Sequence, residues 1–270
     1  MKTKIWNYIA AVRNSSPLVH SITNYVVMNN TANALLAVGA SPIMAHAHAE
    51  MKDMVKIAGS LVINIGTLDE YWVESMQIAI AEAESLKKPW ILDPVGAGAT
   101  PYRNSVLEEL LGRWHPSVIR GNASEIMSLA HMSTQTKGVD SLNHTEEAIG
   151  AAIHLNEITG AIICVSGATD TIIDQGRVVL LKNGDPLMAK VTGMGCTATA
   201  LIAAFCATNP DELFESTIAA MALMGVAGEL AATLSSGPGS LQMHFLDMLS
   251  TVNAEEFDRL LILEEKYASV

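Results

Sequence analysis

Short apolar runs recur along this chain at 18–22, 42–45, 61–65, 90–92, 117–119 and 161–165, with longer segments of helical spacing between them. The alternation predicts strands and helices taking turns. The helical stretches are 25–38, 69–86, 105–112, 124–131 and 145–158, with Asp69 and Thr145 placed as N-caps. Thr145 is followed by Ala148, so the full capping box is missing there. The strand runs are apolar throughout rather than alternating, which implies a mainly parallel sheet covered on both faces. After Val165 the rhythm changes: 171–173 and 178–181, joined by Asp174-Gln175-Gly176-Arg177, read as an antiparallel hairpin at one sheet edge. From Cys196 onward the chain reads as helical, over 196–207, 210–234 and 241–249, with a break at Ser236-Gly237-Pro238-Gly239. The expectation is a single α/β domain over residues 1–270, with helices on both faces of the sheet, an antiparallel edge hairpin and a C-terminal helical region.

Composition narrows the function. The 270 residues are 50% hydrophobic, enough for one large core. A formal charge of -12 argues against nucleic acid or an anionic membrane surface as partner. Cys164, Cys196 and Cys206 form no CxxC pair and no zinc spacing, so a disulfide framework is not expected and a reducing cytoplasm fits. Lys2 and Lys4 precede an apolar stretch that Trp6, Asn7 and Tyr8 interrupt, and no export signal is read there. The segments 198–207 and 218–234 are rich in Ala and Gly, and the second carries Glu229; both read as buried helices rather than membrane spans.

In such a sheet, ligands bind beyond the carboxyl ends of the strands. Thr23 and Asn24 follow the first run, and Asp93-Pro94-Val95-Gly96 closes the fourth. Arg120, Asn122 and Glu125 follow the fifth, and Ser166 and Gly167 the sixth. Asp93 and Glu125 are hard oxygen donors suited to Mg²⁺, directly or through water, and Arg120 offers a fork for phosphate. Taken singly, Asp93 could simply open a turn and Glu125 could decorate a first helical turn. The stretch Val191-Thr192-Gly193-Met194-Gly195-Cys196-Thr197 then leads into an apolar helix. Unpaired backbone N–H groups and the positive end of a helix converge there around one thiol, which makes an anion site. Metal ligands, a cation and an anion cradle in one cleft are what phosphoryl transfer requires.

Asp93-Pro94-Val95-x-x-Gly98-Ala99, Asn122-x-x-Glu125 and Gly193-x-Gly195-Cys196 resemble the ribokinase-like superfamily. Together with Val19-His20-x-Ile22-Thr23-Asn24-x-Val26 and Pro42-x-Met44-Ala45-His46, they resemble its hydroxyethylthiazole kinases over nearly the whole chain. Most ribokinase relatives carry Asp where Cys196 stands, as the base for the substrate hydroxyl; the thiazole kinases carry Cys. The resemblance implies Mg²⁺- and ATP-dependent phosphorylation of 4-methyl-5-(2-hydroxyethyl)thiazole on the way to thiamine diphosphate. It places Met44, Gly193, Asn24 and Val26 at the thiazole, Arg120 and Ser166 at ATP, Asp93 and Glu125 at Mg²⁺, and Cys196 with Gly193 and Gly195 at the reacting groups. It also implies a homotrimer with active sites shared between subunits.

Cys196 is expected to be only a partial base. A free thiol has a pKa of about 8.5, and a helix N-terminus contributes about 0.3 to 1 kcal/mol, less than one pKa unit is worth. Among alternatives, Gly193-x-Gly195-x-x-Ala198 fits a loose dinucleotide fingerprint, but that motif needs a strand before it and a second ending in an acid about 20 residues later. Another small-alcohol kinase such as a hydroxymethylpyrimidine kinase, a nicotinamide-hydrate dehydratase on the same fold and a hydrolase pairing Cys196 with His20 or His46 are the remaining readings. His46 and His48 would share a face on a strand, yet two ligands make no metal site. Cys164 and Cys206 read as core residues, Met221 and Met224 as core or subunit contacts, and His20 as either pocket lining or a satisfied buried group.

Overall fold

The computed structural model describes residues 2–133 and 144–267. The chain opens with α1 (Lys2–Ser15), β1 (Leu18–Ile22), α2 (Met28–Val38), β2 (Ser41–Ile43), α3 (Met51–Ile57) and β3 (Ser60–Asn64). It continues through α4 (Glu70–Ser85), β4 (Trp90–Asp93), α5 (Pro101–Arg113), β5 (Val118–Asn122), α6 (Ala123–Ser133), α7 (His144–Thr159) and β6 (Ile162–Ser166). The hairpin strands are β7 (Asp170–Asp174) and β8 (Arg177–Leu181), after which come α8 (Met194–Thr208), α9 (Leu213–Thr233), α10 (Pro238–Thr251), α11 (Ala254–Leu260) and β9 (Leu263–Tyr267).

Among the described residues all the strands join one sheet of nine, in the order β2-β1-β3-β4-β5-β6-β7-β8-β9. The strands from β2 to β6 are parallel, and β7, β8 and β9 each run antiparallel to the strand before them. One core lies between the sheet and α1, α2, α8, α9, α10 and α11. A second lies under α3 to α7. The buried strands carry apolar side chains to both cores, which is why their sequence shows no alternation.

Local chemistry sets the boundaries. Asp69 caps α4 by accepting from the Trp72 amide at 2.8 Å, and Thr100 caps α5 with Pro101 at its first position. The α7 helix begins at His144, which puts Thr145 inside its first turn rather than ahead of it. The hairpin turn falls on Gln175 and Gly176, with φ of 44° and 81°, the positive pair of a type I′ turn.

Three helices and one strand depart from the pattern-based reading. The α3 and α11 helices are seven residues each, too short for a strong periodic signal, so tertiary burial holds them. The 14-residue α1, by contrast, buries Ile5, Ile9 and Val12 at helical spacing. The β9 strand lies outside the hairpin at the sheet edge, so the hairpin is not the edge. Its sequence, Leu-Glu-Glu-Lys-Tyr, is charged as an edge strand's can be, and its charges pair with β8 and the residue after it: Arg177 reaches Glu265 at 3.4 Å, and Lys182, just past β8, pairs with Glu264. The α9 helix is apolar and long enough to cross a bilayer, but 78% of its apolar window is buried in the fold, as expected of a core helix.

Candidate active site

The sheet order contains a switch point. From β1 the chain turns to α2 on one face, and from β3 it turns to α4 on the other, so the loops after β1 and β3 diverge and leave a crevice at the carboxyl ends. The α8 helix packs across β1, β3 and β4 on one side of that crevice. Its first residue is Met194, and Gly193 caps it with φ of 84°. A Cβ at Gly193 would also lie 2.7 Å from Val27 Cγ1, so the position needs glycine for both conformation and space.

Cys196 sits in the first turn of α8, half-buried, and Asn24 Nδ2 donates to its Sγ at 3.5 Å. The same nitrogen donates to Asn64 Oδ1 at 2.9 Å, and Asn64 Nδ2 donates to Asp93 Oδ2 at 2.7 Å. Thr199, one turn past Cys196, donates to the same carboxylate oxygen at 2.9 Å. A buried hydrogen-bonded chain therefore runs from thiol to carboxylate. Burial pushes the Asp93 carboxyl up to about 6, against the pull of Arg120 and of its hydrogen bonds from Thr199 and Asn64. Burial, then the charge of Asp93, pushes the Cys196 thiol up to about 12, so the resting group is a thiol.

Arg120 comes from β5 and donates to Ser166 Oγ at the end of β6, while its Nε has no partner among the described residues. A Cβ at Gly195 would lie 2.5 Å from Arg120 Nη1; the absent side chain lets the guanidinium lie against the helix start. Next to this pair opens a cavity of about 540 Å³ lined by Arg120, Ser166, Gly167, Met194, Met221 and Met224, among others. The two methionines of α9 are buried but wall this cavity, a role that helical spacing alone did not show. The outer wall is the loop at Asn183 and Gly184, held by Glu229: Asn183 Nδ2 donates to its Oε2 at 3.0 Å and Gly184 N to its Oε1 at 3.1 Å. The second acid of this apolar helix, after Glu215 in its first turn, thus clamps the cavity's lining.

Glu125 accepts from Gly96 N at 3.0 Å through Oε1 and from Asn122 N at 2.8 Å through Oε2. It ties the turn after β4 to the end of β5, and it is near enough to Asp93 to raise that carboxyl. Asn122 Oδ1 accepts from the Glu125 amide at 3.0 Å, starting α6. Among the described residues no cluster of three metal-ligating side chains exists. Two carboxylates, with no hydrogen bond on Asp93 Oδ1 among the described residues, fit Mg²⁺ that keeps waters and substrate oxygens as its other ligands, rather than a protein-enclosed metal.

Two of the expected thiazole residues lie away from this chain of contacts. Val26 is 67% exposed, and its amide donates to Asn24 Oδ1 at 3.1 Å. Met44 follows the edge strand β2, half-buried against the core under α8. His20 is fully buried, with Nε2 donating to Ala45 O at 2.8 Å, and burial lowers its pKa; it ties β1 to the segment after β2. His46 stacks on Trp72 at 4.8 Å and His48 on Tyr71 at 3.8 Å, neither on a strand. Cys164 and Cys206 are buried core residues, and all three thiols are free.

Arg103, Asn64 and Thr199 escaped the sequence reading. Arg103 donates through Nη1 to the carbonyls of Ile65 and Val95 and through Nη2 to Gly66, stapling the loops after β3 and β4. Asn64 carried a readable signal, a polar residue near the end of an apolar run. Arg103 and Thr199 sit on helices, where only the fold shows what they face.

The residues before Gly193 form a 3₁₀ turn, Pro186–Lys190, not a strand, and α8 is followed by another helix. The dinucleotide-fingerprint reading therefore lacks both of its strands. A model of the Hydroxyethylthiazole kinase family matches residues 9–255. The chain belongs to the hydroxyethylthiazole kinase family. It is 53% identical to the hydroxyethylthiazole kinase of Leptospira biflexa over 244 residues, 90% of this chain and 91% of that one. The solved structure of the hydroxyethylthiazole kinase protein from Pyrococcus horikoshii superposes with a TM-score of 0.91 at 40% identity, covering 97% of this chain and 99% of that one. A ribokinase-like superfamily protein from Enterococcus faecalis, 16% identical, shares the fold with a TM-score of 0.62 over 90% of this chain and 88% of its own. The α/β architecture is thus ribokinase-like. As a hydroxyethylthiazole kinase family member, the chain is an enzyme, and a kinase uses ATP as co-substrate.

Proposed function

We propose that this chain transfers the γ-phosphoryl group of ATP to the hydroxyl of 4-methyl-5-(2-hydroxyethyl)thiazole, in the thiamine salvage route. The observation that carries this reading is the continuous chain Cys196–Asn24–Asn64–Asp93 at the switch-point crevice, with Arg120 and the 540 Å³ cavity beside it. Arg120 and Ser166 take the nucleotide, and its base enters the methionine-walled cavity. Met44, Asn24, Val26 and Gly193 take the thiazole. Asp93, directly, and Glu125, through the turn it holds, organise Mg²⁺, which when bound neutralises charge on the phosphate oxygens.

The loop amides from Gly193 to Cys196 face the anion and cost no reorganisation as charge develops. Cys196 is protonated at rest and accepts the hydroxyl proton only in the small fraction of molecules whose thiol has already released its own proton to solvent, so its share of the rate is partial. Exposed Val26 and Tyr25, beside buried Asn24, support a homotrimer in which a neighbouring subunit covers the thiazole. The three free thiols support a cytoplasmic setting, and residues 1–270 are taken as one kinase domain.

Incubation with Mg-ATP and, separately, hydroxyethylthiazole, hydroxymethylpyrimidine and pyridoxal, followed by ADP release, tests the reading. Turnover with the thiazole is the expected result; turnover with the pyrimidine alone would overturn it. Within this site, Gly195→Ala pushes a methyl into the Arg120 guanidinium. The KM for ATP is expected to rise by roughly tenfold, on the scale of one lost charged contact. An unchanged KM would show that Arg120 does not hold nucleotide from its present position.

A further inference from the structure

Asn64 ends β3, is 1% exposed and lies opposite Asp93 in the parallel register. Both side chains therefore leave the sheet on the same face, toward α8. Asn64 Nδ2 donates to Asp93 Oδ2 at 2.7 Å, and its Oδ1 accepts from Asn24 Nδ2 and from Gly66 N, each at 2.9 Å. The carboxylate accepts only, so Asn64 must turn its nitrogen to Asp93 and its oxygen to Asn24. Asn24 must then present its nitrogen, which also reaches Cys196 Sγ at 3.5 Å, and keep its oxygen for the Val26 amide at 3.1 Å. Turning the Asn24 amide over would set two oxygens against each other and take the Asn24 donor away from the thiol, beside which the Asn64 amide also lies. The loops carrying Asn24 and Gly66 diverge to opposite faces of the sheet, and Tyr25 N donating to Thr67 Oγ1 at 3.1 Å links them again at the exposed rim. In the buried floor of the crevice the link is Asn64.

We propose that Asn64 is a positioning residue of the reaction, which uses the charge of Asp93 to set the amide orientation of Asn24, and with it the donor to Cys196 and the Val26 turn. This rests on the kinase reading and adds a direction of control to it, from the phosphoryl side to the acceptor side. Asn64 is buried and acts through Asn24 and Asp93.

A double-mutant cycle with Asn24→Ala and Asn64→Ala separates this role from simple support of the fold. Each single variant is expected to lower kcat/KM for the thiazole by roughly 10- to 100-fold, and the double variant to fall within about threefold of the worse single one. Effects that multiply would overturn the proposal, as would an Asn64 variant with a lowered melting temperature but unchanged thiazole kinetics. If Asn64→Ala does not fold, Asn64→Ser carries the same cycle with the same criterion. Alkylation of Cys196 by iodoacetamide needs no substrate, so it reads the positioning even if wild type fails to turn over the thiazole and the kinase reading falls. Loss of a donor to the sulfur disfavours thiolate, and each single variant is expected to react about threefold more slowly at pH 8 or beyond, with no further slowing in the double. Wild-type alkylation rates in both single variants would overturn the proposal.

Discussion

Asp93→Asn is expected to cut phosphorylation by roughly 10³-fold while making the ligand-free protein more stable at pH 8. The loss follows from removing the one fully buried carboxylate among the proposed Mg²⁺ organisers. The gain follows from the environment. Burial raises the folded pKa from 3.8 to about 6. A carboxyl whose pKa is raised on folding contributes stability when protonated, fully below the unfolded value, and that contribution is lost as pH rises through the folded one. Above about pH 6 the ionised Asp93 therefore costs the fold on the order of 2 to 3 kcal/mol. Asparagine keeps an oxygen to accept from Asn64 and Thr199 and carries no charge. Thermal melts are expected to show a rise of roughly 5 to 10 °C at pH 8 that shrinks toward pH 4. A variant less stable than wild type at pH 8, or one that retains turnover, would refute this account.

Cys196→Ala is expected to lower kcat by roughly 10²-fold, the low end for removal of a general base, with little change in ATP affinity. The thiol is held near pKa 12 by burial and by Asp93, so it contributes little as a preformed thiolate. A carboxylate titrates far lower, and Cys196→Asp is accordingly expected to match or exceed wild-type kcat near neutral pH. Full wild-type turnover in the alanine variant would remove the thiol from the mechanism. An inactive aspartate variant beside a crippled alanine one would point to chemistry specific to sulfur. Steady-state kinetics at saturating ATP distinguish these outcomes.

The pieces of the site were legible to different depths. Glycines at 193 and 195, with a thiol ahead of an apolar helix, mark an anion cradle by spacing alone, and the helix begins at Met194 with Gly193 in the left-handed region. Asp93, Arg120 and Ser166 were visible as polar residues closing apolar runs, since a buried parallel strand admits such residues mainly where it leaves the core. Asn64 belongs to the same class, but Ile65 after it is also buried, so the run reads as continuous through it. Glu125 is a plain first-turn acid in sequence, and only the fold shows both of its oxygens occupied by the amides of Gly96 and Asn122.

Chain order and hydrophobic period by themselves determined that this protein is a parallel α/β sheet with an antiparallel hairpin after the sixth strand, because both are local consequences of which residues can be buried. They also determined the glycine-rich helix start, because φ above zero and close backbone approach are requirements on single positions. Tertiary structure alone decided that Asn24 and Asp93, 69 positions apart in the chain, are joined through Asn64. It also decided that Met221 and Met224 wall a cavity and that a charged C-terminal strand closes the sheet. Hydrogen bonds between distant loops and the walls of a cavity depend on strand order, and strand order is set by the packing of the whole chain rather than by any one segment of it.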